Sequence, residues 1–194
     1  MATAPPWPRE IRVELPAWID EVVDPSRIWA SDDETMALVI MLARENVVRG
    51  TGGPFGAAIF EVGTGRLVGV GVNAVLRHQN SCLHAEMVAF MVAEAAVGAF
   101  SLDQPDGPGH ELVTSCEPCA MCLGGVLWSG VRRVVCGASR EDALALGFDE
   151  GPVFPESYAY VEERGVTFTR NVRQDEARAV LARYMAQGGP VYNG

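Results

Sequence analysis

The longest uninterrupted apolar run in these 194 residues is 36–43, far short of the roughly 18 residues a membrane-crossing helix needs. Basic residues are also scarce. Fifteen Lys and Arg face 25 Asp and Glu, for a formal net charge of -10. That balance argues against a nucleic-acid partner, because such proteins concentrate Lys and Arg to displace counterions. It argues equally against an anionic membrane surface. The first ten residues are rich in Pro and lack the basic-then-apolar order of a secretory leader, so the expected location is the cytoplasm. The five cysteines cannot all pair, and a complete disulfide framework is excluded. No internal repeat and no low-complexity tract occurs.

Ordinary globular material remains: 48% hydrophobic and 21% charged residues. The length suits one domain of about 150 residues with decorated ends. Residues 1–30 form an arm in which Trp7, Trp18 and Trp29 alternate with prolines. Such tryptophans are expected to pack on a core. The domain proper spans 31–187, and 188–194 is a tail released by Gly188-Gly189-Pro190.

Ser31-Asp-Asp-Glu34 reads as a capping box that opens a helix to Gly50. Two apolar stretches, 55–62 and 66–72, flank Gly63-Thr64-Gly65 and predict a hairpin. Helices are expected at 85–99, 119–129, 140–146, 158–164 and 175–187. Strands are expected at 111–114, 131–136 and 166–172. Strands that alternate with helices after a hairpin predict a three-layer α/β/α sandwich. Its mixed five-stranded sheet should hold one antiparallel hairpin and parallel strands joined by right-handed crossovers.

Two short segments carry chemistry. His84-Ala85-Glu86 opens one predicted helix, and Pro118-Cys119-Ala120-Met121-Cys122 opens another. Cys119 and Cys122 are three apart on one helical face, so both sulfurs reach one ion. A helix start also favours the thiolate that zinc requires. His84 adds a third ligand, leaving a fourth tetrahedral position for water. His84 and Glu86, two apart, would diverge by about 200° on a regular helix. They converge only if the ion lies beyond the helix end. Glu86 then serves as the base that moves protons between water and substrate. Two other readings stand beside this one. Cys116 could close a structural Cys₃His site, or Cys119 and Cys122 could form a redox pair that leaves His84 and Glu86 unexplained.

The H-x-E and P-C-x-x-C pair is the signature of zinc-dependent base deaminases. Thr114-Ser-Cys-Glu-Pro-Cys-Ala-Met-Cys-Leu-Gly-Gly-Val-Leu-Trp128 resembles the zinc segment of guanine deaminases in the cytidine deaminase superfamily. Gly52-Gly-Pro-Phe-Gly56, Gly71-Val-Asn73 and Gly147-Phe-Asp-Glu-Gly151 resemble three further segments of that family, and Val191-Tyr-Asn193 does so more loosely. The resemblance implies a cytidine deaminase-like fold and one Zn²⁺ per subunit on His84, Cys119 and Cys122. It makes Glu86 the proton shuttle, assisted by Glu150. It places Asn73, Phe55, Trp128 and Phe148 against a nucleobase, guanine above cytosine, an s-triazine such as ammeline, or a nucleoside such as guanosine. It also implies a homodimer, with the tail around Tyr192 covering an active site. From the residues alone, Phe55, Trp128 and Phe148 read equally as packing, Glu150 as a loop carboxylate and Asn73 as a turn residue. Leu83 departs from the guanine pattern and is expected to narrow the pocket. A tRNA adenosine deaminase shares the zinc motifs, but the acidic balance opposes it. A non-catalytic zinc-stabilised interaction domain is opposed by the intact Glu86. His78 and His110 read as structural or surface residues.

Overall fold

The computed structural model describes residues 7–105 and 107–192. The first six residues of the arm, Asp106 of the 102–109 loop, and Asn193 and Gly194 of the tail lie outside the described residues.

Ser31 opens helix α2, Asp32–Val48, by accepting from the Glu34 N–H at 3.3 Å. The Glu34 carboxylate reaches one residue beyond the cap, to the Ala30 N–H. Strands β1, Gly56–Glu61, and β2, Leu67–Val72, form the expected hairpin. Helix α4, Ala85–Val97, leads to β3, His110–Cys116. Helix α5, Ala120–Ser129, leads to β4, Arg133–Ala138. After α6, Arg140–Leu144, and α7, Pro155–Glu162, come β5, Thr167–Thr169, and α8, Gln174–Ala186. Two short helices escape the sequence reading: α1, Ile19–Val22, within the arm, and α3, Val75–His78.

The strand order is β2-β1-β3-β4-β5. β3, β4 and β5 run parallel. β1 is antiparallel to both β2 and β3, so the antiparallel part extends beyond the single hairpin expected. Neighbouring strand residues feed opposite layers, as the two-residue period requires. Phe60, Val113 and Val135 join the layer of α2 and α8, whereas Ile59, Leu112 and Val134 join that of α4, α5 and α7. A sheet covered on both faces explains why every residue of β1 is buried. The arm closes the α2 layer with Trp18, Ile19 and Trp29, and Ile28 bridges to Arg66.

At the strand ends remote from Cys116, one guanidinium gathers four elements. Arg133 donates to Asp32 and Glu111 at 2.7 Å each, and to the Thr169 hydroxyl at 2.9 Å.

Candidate active site

β2 and β3 end, and β1 begins, around one small pocket. The N-termini of α4 and α5 point into it. His84 and Cys119 are not helical residues but the caps of these helices, with extended backbone (φ -67 and -66). The cap position answers the two-residue problem. His84 leaves the axis before the first turn, so its ring and the Glu86 carboxylate face the same space.

His84 Nδ1 lies 3.5 Å from Cys119 Sγ and 3.6 Å from Cys122 Sγ. The three donor atoms fall within 4.8 Å of one another. Zinc with Zn–S of about 2.3 Å and Zn–N of about 2.0 Å holds its tetrahedral N and S donors about 3.6 Å apart. Both N–S separations match that spacing, and the donor set suits zinc. Cys116 is buried with its thiol turned to the Ser139 carbonyl, which speaks against its closing a fourth ligand position.

The electrostatics suit a metal. The hydrogen bond with Cys122 pulls the Cys119 thiol down to about 4, against burial and with help from His84. The same contact, with burial, pushes Cys122 well above its ordinary value. The two sulfurs thus share one proton, which a metal ion displaces on binding. Burial lowers His84, but its bond to Cys119 and the nearby charges of Glu86 and Cys119 more than offset this. Burial also raises the Glu86 carboxyl, as does the Cys119 charge. Glu150 is pushed up to about 8 by burial and by the charges of Cys119 and Glu86. Two carboxyls, both raised above the ordinary carboxylate range, face one donor cluster.

The remaining walls come from distant segments. Asn73 caps the end of β2 with its N–H on the Phe55 carbonyl, and its side-chain oxygen accepts from Val75. Phe55 meets Phe148 edge to face at 5.1 Å. Tyr192 meets Phe148 at 5.6 Å and closes the top. Its hydroxyl is buried without a hydrogen-bond partner. The Glu150 carbonyl is fixed by the Ala120 N–H at 2.9 Å. The cavity left inside is about 40 Å³, room for a few waters and not for a purine.

Trp128 does not join this pocket and is 83% exposed. It lies six residues past Cys122, about 9 Å along α5, and faces outward. Leu83 does not line the pocket either. Its side chain is buried with Ala74 and Val88, so it does not narrow the site. Cys116, weighed from the sequence only as a structural ligand, and Glu117, given no role there, do line it. The only signal for Glu117 was adjacency to Pro118 and Cys119. His110 is buried in the core, its Nδ1 2.7 Å from the Leu102 carbonyl.

Residues 30–138 match the family described as the cytidine and deoxycytidylate deaminase zinc-binding region. The chain belongs to this family. The guanine deaminase of Bacillus subtilis (strain 168) is 39% identical over 129 residues, covering 66% of this chain and 78% of that protein. Among solved structures, the guanine deaminase from Nitrosomonas europaea superposes with a TM-score of 0.88. It is 38% identical over 93% of this chain and 98% of its own. NE0047 in complex with 2,6-diaminopurine is 40% identical, with a TM-score of 0.88, over 94% of this chain and 96% of its own. The mixed five-stranded sheet with flanking helices is thus the cytidine deaminase-like fold, and the domain is zinc-binding.

Proposed function

We propose that this chain hydrolyses guanine to xanthine and ammonia. The observation that carries the reading is the convergence of a zinc-spaced donor set with two buried carboxyls, Glu86 and Glu150, in one pocket. The likeness to guanine deaminases over nearly the whole chain supports the choice of base.

His84 Nδ1 and the sulfurs of Cys119 and Cys122 would hold zinc. When bound, zinc supplies a Lewis acid that makes water acidic enough to attack at neutral pH. Glu86 takes the proton from the attacking water and returns it to the ring nitrogen beside the amine-bearing carbon. The second proton goes to the amine, which departs as ammonia. Glu150 accepts from the N–H edge of guanine and assists this transfer. Asn73 hydrogen-bonds the base, with Phe55 and Phe148 against its faces. Tyr192 covers the bound base. Because the cavity is smaller than a purine, Tyr192 moves aside to admit substrate. Residues 1–30 act as an arm on the 31–187 catalytic domain.

Two copies pair as a homodimer. α5 holds no charged residue and presents Trp128 to solvent beside the half-exposed Met121, Gly124 and Gly125. Met91 of α4 is also exposed. Such a face suits a second apolar face. Trp128→Glu should convert dimer to monomer in sedimentation. A cytoplasmic location accords with the free thiols of Cys119 and Cys122, because a reducing compartment keeps them available to metal.

Ammonia release from guanine, cytosine, ammeline, guanosine and adenosine at matched concentration tests the assignment. Guanine is expected to be fastest. A chain inert toward guanine and fast on another base would overturn the choice of substrate.

A further inference from the structure

Asn46 sits in the last turn of α2, fully buried. A buried amide needs partners for every polar atom, and Asn46 has them. Its Nδ2 donates to the Gly53 carbonyl at 2.8 Å and to the Asn73 carbonyl at 2.9 Å. Its Oδ1 accepts from the Thr51 hydroxyl at 2.7 Å. The orientation of the amide is determined, because two carbonyls can only accept. Thr51 Oγ1 in turn accepts from the indole N–H of Trp18 at 3.1 Å. A directional chain therefore runs from the N-terminal arm to Asn73 of the pocket wall and to Gly53, which backs Tyr192.

Both end points matter to the proposed substrate. Asn73 is the residue assigned to the base. Gly53 is the seat of the covering residue, since a Cβ there would overlap Tyr192 Oη. Gly52 has its own reason to lack a side chain. A Cβ would overlap the Asn73 carbonyl and lie 2.6 Å from Asn46 Nδ2. The paired glycines let the 51–54 loop close onto Asn46, and Asn46 then fixes Gly53 and Asn73 relative to each other.

We propose that Asn46 is a positioning residue of the nucleobase pocket and that Trp18, acting through Thr51, is its support from the arm. Asn46 touches neither the donor cluster nor the pocket. Its effect falls on binding and closure, not on the chemical step. This gives the Pro- and Trp-rich arm a role in substrate affinity. The inference rests on the deaminase reading only for the assay used.

Thr51→Val removes the hydroxyl at nearly constant volume. It should raise the KM for guanine about fivefold, the equivalent of one hydrogen bond. The kcat should stay within about twofold, and zinc per chain should be unchanged. Thr51→Ser, which keeps the hydroxyl, should restore the wild-type KM. Trp18→Phe should act in the same direction, and the double variant should be no worse than Thr51→Val alone. Asn46→Asp, which loses both donors, should raise KM further; if it fails to fold, the Thr51 pair decides. A Thr51→Val enzyme with unchanged KM overturns the proposal, as does one whose kcat falls with its zinc content. A wild type that deaminates a base other than guanine leaves the test intact with that base, so the two failures are told apart.

Discussion

Gly71 on β2 lies directly against the carbonyl of Ala85 in the first turn of α4. A Cβ at Gly71 would overlap that oxygen and crowd the Ala89 N–H at 2.5 Å. The absence of one methyl thus sets how closely α4 approaches the sheet, and with it where His84 and Glu86 stand. Gly71→Ala should push the helix start outward. The expected cost is about 1–3 kcal/mol of stability, with weaker zinc binding in chelator competition. Unchanged zinc affinity would show that α4 yields without moving His84.

Glu86→Gln preserves shape but cannot take a proton. Zinc content should remain one per chain, and turnover should fall on the order of 10²–10⁴-fold, the range of general acid–base catalysis. Substantial residual activity would remove Glu86 from the proton path.

Tyr192 contributes a ring to the pocket roof and a hydroxyl without a partner. Tyr192→Phe should leave KM within about twofold, whereas Tyr192→Ala should raise it about tenfold through lost burial. A large effect of the Phe variant would assign the hydroxyl a contact with bound substrate.

Removal of metal should separate catalysis from folding. The sheet is held by two apolar layers that do not involve the donor cluster. Dialysis against a strong chelator should abolish activity and lower Tm, with the far-UV circular dichroism retained. Collapse of that signal would mean the ion is needed to fold the chain.

Glu61 and Arg66 pair across the β1–β2 hairpin, and this hydrogen bond holds the Glu61 carboxyl below its ordinary value despite burial. A folded pKa below the unfolded one stabilises above the unfolded value and is lost as pH falls through the folded value. Tm should therefore decline from roughly pH 5 downward, and Glu61→Gln should flatten that limb. An identical acid limb in the variant would place the sensitivity elsewhere.

The candidate metal donors could be picked out because their spacing is local. Cys119 and Cys122 share a turn, and His84 precedes an evident helix. The hairpin and the long helices were legible for the same reason, through period and punctuation. Other features depend on chain partners far apart in sequence. Asn46 looks like an ordinary polar residue of α2 until Gly53 and Asn73 are folded against it. Trp128 carries the family's pattern, yet the helical rise takes it away from the pocket. Leu83 precedes a metal donor, but its side chain turns into a separate apolar cluster. β5 is shorter than the expected 166–172 strand because only Thr167–Thr169 find partners on β4. α1 is a single turn inside a Pro-rich stretch, held by tertiary burial of Ile19 rather than by propensity.

Arg133 ties α2, β3, β4 and β5 together at the strand ends away from the pocket. Stiffness is thereby concentrated where no chemistry occurs. Amide exchange should be slowest in β3 and β4 and fastest around the pocket rim. The same partition lets the rim change its sequence, and with it the base it accepts, without loosening the sheet beneath.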